Sequence, residues 1–450
     1  MKKKALSAFL ALLFVFLAAC SGGSSKVQNG TNDVRHYGEA KTGDPLRICM
    51  DIQEFTGDVI SDDAVAEFLY ELENSTGISD VEVEFLPPEG AEREIELDRL
   101  RTEIMAGGGP DVFILTSCKK PSIDPVKGFD FDDSNTLIMY PQKLMENGAF
   151  LPLDDFIENN TRFAQWDKFT SVVMSAGRNE EGQQIIPITY TLPVICYPVE
   201  SFTYDPSTSL TWYDMLNDPE FSKYALDLAN CATTYSGTVS RADYFSYTLG
   251  QIADYEEEKL LFTEDELLAR VNEILSLDKS DSVSAECGAV ERYIGTGLYD
   301  QYFNKPVTML PMYSDDGGVT ASIKSYAAIN RNTSRAEDAF AVIDLLMSTR
   351  TQQDYLLYTN YFYFSDGIPM NEELFNADTP LQLGHLQMTE ENYNELCRVR
   401  AQITNAVFKS QCDYILDSML IDCDYADTLG KSIEETVHDA YENMQRRLRE

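Results

Sequence analysis

Three kinds of side chain in this sequence have the chemistry for catalysis or binding, and only one kind falls into groups. Histidine, the usual acid–base group and metal ligand near neutral pH, occurs as His36, His385 and His438, too far apart in sequence to form a local metal motif. The 75 acidic residues leave room for a glycosidase pair about 5 to 9.5 Å apart, yet no spacing singles one out. No G-x-S-x-G, phosphate-binding loop or H-E-x-x-H is present, and Gly295-Thr296-Gly297 lacks the third glycine of a dinucleotide fingerprint. Asp130, Asp132 and Ser134 begin like a calcium loop, but Asn135 replaces its turn glycine and Pro141 its bidentate glutamate. No metal, cofactor or catalytic role is expected. The grouped residues are aromatic rings beside hydroxyls and carboxylates: Thr189-Tyr190-Thr191, and Tyr313 with Asp315 and Asp316. Glu54, Thr116 and Ser117 lie at predicted strand ends, and Tyr235 and Tyr293 are further candidates by location. Such sets suit a sugar, whose C–H faces stack on rings while its edges bond to carboxylates, amides and hydroxyls.

The N-terminus carries a different chemistry. Lys2, Lys3 and Lys4 precede an apolar block over residues 5–19 with only Ser7 polar, shorter than the roughly 20 residues a spanning helix needs. Residues 1–19 read as a signal peptide. The block ends Leu17-Ala18-Ala19-Cys20, which resembles a bacterial lipobox, so the Cys20 thiol is expected to carry lipid. Two or more acyl chains would hold it stably at a membrane. Residues 20–45, rich in Ser, Gly, Asn and Thr, then form a flexible linker with a reach of about 25 Å. Removing residues 1–19 takes three lysines and no acid, leaving 32 basic against 75 acidic residues, a net charge of −43. Nucleic acid is thereby disfavoured as a partner, and the acids read as a solvated surface. Eight further cysteines are scattered without a C-x-x-C; they allow 105 full pairings, and several lie in apolar runs as small hydrophobes.

The elements that position these groups begin around residues 105–115, MAGGGPDVFIL. Leu97, Leu100 and Ile104 give a helix one apolar face, three glycines and Pro110 end it, and Val112 to Leu115 form an unbroken apolar strand. Such a run suits a strand covered on both faces. Upstream, Leu46 to Ile52 is a strand, Ser61 caps a helix with Phe68 and Leu72 on one face, and Val81, Val83 and Phe85 alternate. The order β-α-β-α-β makes a parallel sheet whose ligands bind beyond the carboxyl ends of its strands, near residues 51–56 and 116–118. Further on, residues 305–310 and 320–330 read as strands and residues 224–302 as mostly helical. Ser334 with Glu337, and Ser432 with Glu435, read as capping boxes. Trp166 and Trp212 read as core. The 450 residues exceed one core and predict two or three lobes.

The helix running into Gly-Gly-Pro-Asp and a short apolar strand resembles the extracellular solute-binding proteins, family 1 type, of carbohydrate ABC importers, the class of the maltose-binding protein. ENGAFLPLDDFIENN (residues 146–160), GQQIIP (182–187), TWYDML (211–216) and S-x-x-E-D-A-F from Ser334 extend the likeness over most of residues 100–355. The resemblance implies an α/β, two-lobed, type II periplasmic-binding-protein fold, each lobe a mainly parallel sheet flanked by helices, with a hinge between. Lobe one would hold residues 46–188 and 313–350, and lobe two residues 189–312 and 351–450. It implies a monomer that captures a sugar or oligosaccharide and delivers it to ABC permease subunits without covalent chemistry. The proposed ligand contacts are Glu54, Thr116, Ser117, Thr189, Tyr190, Thr191, Tyr235, Tyr313 and Asp315. Some members have an acid where Thr191 stands, so the particular sugar does not transfer. A peptide or other solute, a sensor-coupled receptor, and a glycosidase are the rival readings.

Overall fold

A computed structural model of the chain describes residues 35–37, 45–51, 62–87, 91–117, 123–124, 128–129, 136–199, 210–218, 222, 244–276, 290–294, 306–352, 367–375, 389–424 and 426–449. The signal peptide, Cys20, nearly all the linker, Glu54, Tyr235 and the calcium-like residues 130–135 lie outside them. One sheet of ten strands organises residues from Val34 onward. These are β1 (Arg35–Tyr37), β2 (Leu46–Asp51), β3 (Val81–Phe85), β4 (Val112–Thr116), β5 (Ile185–Pro198), β6 (Val290–Ile294), β7 (Val307–Pro311), β8 (Val319–Ile329), β9 (Ile368–Pro369) and β10 (Ile403–Phe408). Their order is β1-β3-β2-β4-β8-β5-β6, with β7 and β9 also on β5 and β10 on β8.

The predicted start of the fold is present. Helices α1 (Asp62–Thr76) and α2 (Ala91–Met105) connect the parallel strands β2, β3 and β4. Phe68 and Leu72 of α1 and Leu97 and Leu100 of α2 are buried, as is every residue from Val112 to Leu115. The turn between α2 and β4 depends on glycine: Gly107 and Gly109 have φ of 79° and 98°, a region that a Cβ makes costly. Asn330, at the far end of β8, ties the turn down by donating to the Gly108 and Pro110 carbonyls at 2.7 and 3.1 Å.

The sheet is mixed rather than mainly parallel. Only β2–β3, β2–β4 and β8–β10 run parallel, whereas every neighbour of β5 runs antiparallel to it. Two long strands that carry the chain out and back through one sheet must run in opposite directions, which sets β5 against β8. Both exchange partners midway. Residues 185–189 of β5 pair with β8, and residues 192–198 pair with β6 and β7. Residues 319–323 of β8 pair with β10, and residues 325–329 with β4.

Further helices of the described residues include α3 (Trp212–Asn217), α4 (Tyr244–Thr248), α5 (Glu264–Ser276), α6 (Ala336–Leu346), α7 (Glu390–Arg400), α8 (Gln411–Asp424) and α9 (Ile433–Arg449). The capping box at Ser432 and Glu435 forms, with reciprocal bonds of 3.0 and 3.1 Å. The one expected at Ser334 does not: α6 starts after Arg335 with no side-chain cap. Thr333 takes that place, its hydroxyl accepting from Arg335 N and donating to Asp111 Oδ1, so the turn is built around the β4 entry instead. Within the segment read as mostly helical, residues 290–294 form strand β6. α7 shields the edge of β7. Asn392 and Glu395 accept from Val307 N and Met309 N at 2.7 and 2.9 Å, and Arg398 donates to the Met309 carbonyl, which satisfies an otherwise bare strand edge.

Candidate functional site

Where β5 and β8 change partners, the register lines up three hydroxyl residues across three strands. Thr116 of β4 faces Ser325 of β8, and Ser325 faces Thr189 of β5. Two of the three are bonded, Thr189 Oγ1 and Ser325 Oγ lying 2.6 Å apart, while Thr116 Oγ1 donates to the Asp51 carbonyl at 3.2 Å. Ser117 closes the end of β4 against β8, its N–H donating to the Lys324 carbonyl at 2.7 Å and its hydroxyl to the Ile323 carbonyl. Thr191 continues along β5 with its hydroxyl 3.5 Å from the Ser322 carbonyl. The carboxyl ends of β2 and β4 therefore meet the exchange point, and four residues expected from sequence, Thr116, Ser117, Thr189 and Thr191, gather there. Backbone approach is tight on the other edge of β5, where a Cβ on Gly367 (φ 150°) would stand 2.7 Å from Thr189 Cβ.

Tyr190 and Tyr313 are placed differently from the expectation. Each was to offer an aromatic face to ligand, yet both are fully buried in this conformation. Tyr190 accepts from Arg400 Nε at 2.8 Å, and Tyr313 donates to Gln402 Oε1 at 2.8 Å. Burial pushes the Tyr190 hydroxyl up from its ordinary pKa, with Arg400 opposing the shift. Exposure is decided by what packs over a ring, and Arg400 and Gln402 are too distant in sequence to be foreseen.

Asp315 belongs to another cluster. Its carboxylate accepts from Arg270 at 2.6 Å, and its N–H donates to the Thr248 carbonyl that ends α4. The Arg270 guanidinium also donates to the Tyr213 hydroxyl and lies over the Tyr213 and Tyr244 rings, 4.7 and 5.4 Å from their centroids. Burial raises the Asp315 pKa, and Arg270 opposes it. Trp212 is core, packed edge-on to Tyr244 at 5.3 Å, and is the first residue of a helix capped reciprocally by Thr211 and Asp214. Trp166 packs on Phe340 and Phe169 and donates to Asp344 Oδ1. The Tyr293 backbone sits in β6.

Sequence reading missed Arg93, whose guanidinium makes two bonds of 2.9 and 2.7 Å to the Asp51 carboxylate, both side chains being buried. It also missed Ser325, Glu372, Arg400 and Gln402. Among the described residues no group of three metal-ligating side chains occurs, and no helix is long and apolar enough to cross a membrane. Five described cysteines are free thiols, of which Cys49, Cys196, Cys412 and Cys423 are buried. The arrangement is a polar strip of hydroxyls and carbonyls at the point where two strands change partners; in this conformation Ser117, Thr189, Thr191 and Ser325 are buried, with their hydroxyls bonded to one another or to the sheet.

No protein-family model and no curated protein sequence matches this chain. Solved structures do. An extracellular solute-binding protein of family 1 from Alicyclobacillus acidocaldarius is similar over 92% of this chain and 100% of its own, with a TM-score of 0.54 at 13% identity. A periplasmic oligogalacturonide-binding protein from Yersinia enterocolitica covers 90% and 99%, with a TM-score of 0.55 at 14% identity. A cyclic alpha-maltosyl-1,6-maltose binding protein from Arthrobacter globiformis covers 90% and 99%, at 0.52 and 14%. A designed cysteine esterase is also similar, at 0.56 and 14% identity. At such identities the likeness is one of fold: the chain has the architecture of the extracellular solute-binding proteins, and the esterase illustrates that this architecture alone prescribes no chemistry.

Proposed function

We propose that this protein is a lipid-anchored extracellular substrate-binding protein of an ABC importer, which captures a sugar or oligosaccharide between two lobes and delivers it to the permease. The observation that carries the reading is the hydroxyl row Thr116–Ser325–Thr189, set at the carboxyl end of β4 and midway along β8 and β5, where those two strands exchange partners. Ligands of open α/β sheets bind beyond the carboxyl ends of strands, and two similar structures are oligosaccharide-binding proteins by name. In this reading residues 46–188 and 313–350 make one lobe, and residues 189–312 and 351–450 the other. The exchange points near Tyr190 and Lys324 are the hinge. Thr116, Ser117, Thr189 and Thr191 line its floor. Binding needs no bond made or broken, so the protein releases no product from what it binds.

Closure follows from differential affinity: a ligand touching both lobes favours the closed arrangement over the open one. Titration calorimetry with neutral gluco-, xylo- and manno-oligosaccharides should find a binder, and small-angle scattering should show the radius of gyration falling at saturation. Tight binding with an unchanged scattering curve would remove the hinge from the reading. A panel without a binder, beside tight binding of a peptide, would change the solute class.

A further inference from the structure

The corner between α7 and β10 reaches three separate passages of chain at the exchange point. Arg400 Nε donates to the Tyr190 hydroxyl on β5 at 2.8 Å, and its other arm donates to Glu372 Oε2 at 2.9 Å, just beyond β9. The second Glu372 oxygen accepts from Thr170 Oγ1 at 2.5 Å. Two residues further on, Gln402 accepts from the Tyr313 hydroxyl with its side chain and from Val319 N, the first residue of β8, with its carbonyl at 2.9 Å. The two tyrosines expected to hold ligand are thus held by one corner, Arg400 to Gln402.

The two arms of Arg400 differ in kind. Its side chain is 6% exposed and Tyr190 is fully buried, whereas Glu372 is 46% exposed. Burial works against the guanidinium charge, and Tyr190 and Glu372 outweigh it, holding the Arg400 pKa above its ordinary value. The bond to Tyr190 is therefore sheltered from water, while the Arg400–Glu372–Thr170 chain is open to water at its Glu372 end. Thr170 comes from the segment before β5 and Arg400 from the segment after β9, so this link joins the two proposed lobes beside the backbone bond from Thr170 N to the Met370 carbonyl and the Phe169–Asn371 bridge.

We propose that Arg400 is the positioning residue of the hinge: it stays bonded to Tyr190, and its exposed link to Glu372 and Thr170 is the latch that sets the balance between open and closed arrangements. Ligand affinity then depends on a residue that does not touch ligand. The inference rests on the two-lobed binding reading above, and its test is arranged to fail separately from it.

The experiment uses the mature full-length protein and three variants: Glu372→Gln, which weakens the exposed link; Tyr190→Phe, which removes one hydroxyl; and Arg400→Lys, which keeps the charge and loses the planar fork. Hydrogen exchange without ligand is the first readout. Glu372→Gln should speed exchange of amides in residues 188–191 and 319–323 by about tenfold while the rest of the sheet is unchanged, a coupling of ordinary size. With the oligosaccharide identified by calorimetry, Glu372→Gln should also shift affinity about tenfold. Arg400→Lys should fall between wild type and Glu372→Gln. Exchange within twofold of wild type in all three variants overturns the latch. So does exchange that rises uniformly over the whole sheet, which marks a merely structural contact. A wild type that binds no oligosaccharide would sink the binding reading and leave the exchange result to judge the latch alone.

Discussion

Arg93 lies in the first turn of α2, where the helix dipole disfavours a cation, and it is fully buried. Asp51 makes that placement possible with a two-bond contact, and the Pro87 carbonyl accepts a third bond at 2.7 Å. The pair fixes the last residue of β2. Removing one partner of a buried pair leaves the other charge without compensation, so Asp51→Asn should destabilise the protein by about 3 to 5 kcal/mol. The exposed pair Arg178–Asp154, 51% and 44% accessible, is the internal contrast: Arg178→Gln should cost no more than about 1 kcal/mol. Urea unfolding of both variants decides, and equal losses would mean that burial is not what makes Asp51 matter.

Among the elements, α5 and α9 are joined at the surface by His438 and Glu264. His438 Nδ1 lies 3.1 and 3.2 Å from the two Glu264 oxygens, and Tyr441, one turn on, packs on Phe262 and donates to its carbonyl. The hydrogen bond and charge of Glu264 raise the His438 pKa, with Glu442 and Asp439 of its own helix adding to the effect. A raised folded pKa means that the protonated form is favoured by folding. The contribution to stability is complete below the unfolded value of about 6.5 and is lost as pH rises through the folded value. Glu264→Gln should therefore lower the melting temperature at pH 5.5 and approach wild type at pH 9, and the His438 ring signals should titrate at lower pH. A His438 titration unmoved in Glu264→Gln would assign the shift to another cause.

For the whole molecule, β5 and β8 run through both exchange points, with a register shift between Ser325 and Tyr326, so closure between the proposed lobes would bend these two strands. With a net charge of −40 over the full sequence, the body is repelled by anionic membrane surfaces. Retention beside a permease would then depend on the Cys20 lipid and not on surface attraction. Cys20→Ser should leave the chain unprocessed or released, read by membrane fractionation and the N-terminal mass. A cleaved, unacylated Cys20→Ser protein still held at the membrane in high salt would remove the lipid from the account.

The sequence by itself determined whatever depends on neighbours along the chain. Apolar residues three and four apart made α2, four apolar residues in a row made β4, and glycines with positive φ made the turn between them; each signal spans less than one element. The Ser432 cap was legible for the same reason, and the Ser334 cap was misread because Thr333 is claimed by Asp111, 222 residues away. What the tertiary structure alone decided is pairing and exposure. Ser325 meets Thr189 across 136 residues, Gln402 meets Tyr313 across 89, and Arg400 meets Tyr190 across 210. A bond of that kind leaves no period in the sequence, because neither partner needs any particular residue beside it in the chain. Tyr190 and Tyr313 carry the same local neighbours whether their rings face a cleft or, as here, Arg400 and Gln402, residues at the corner between α7 and β10.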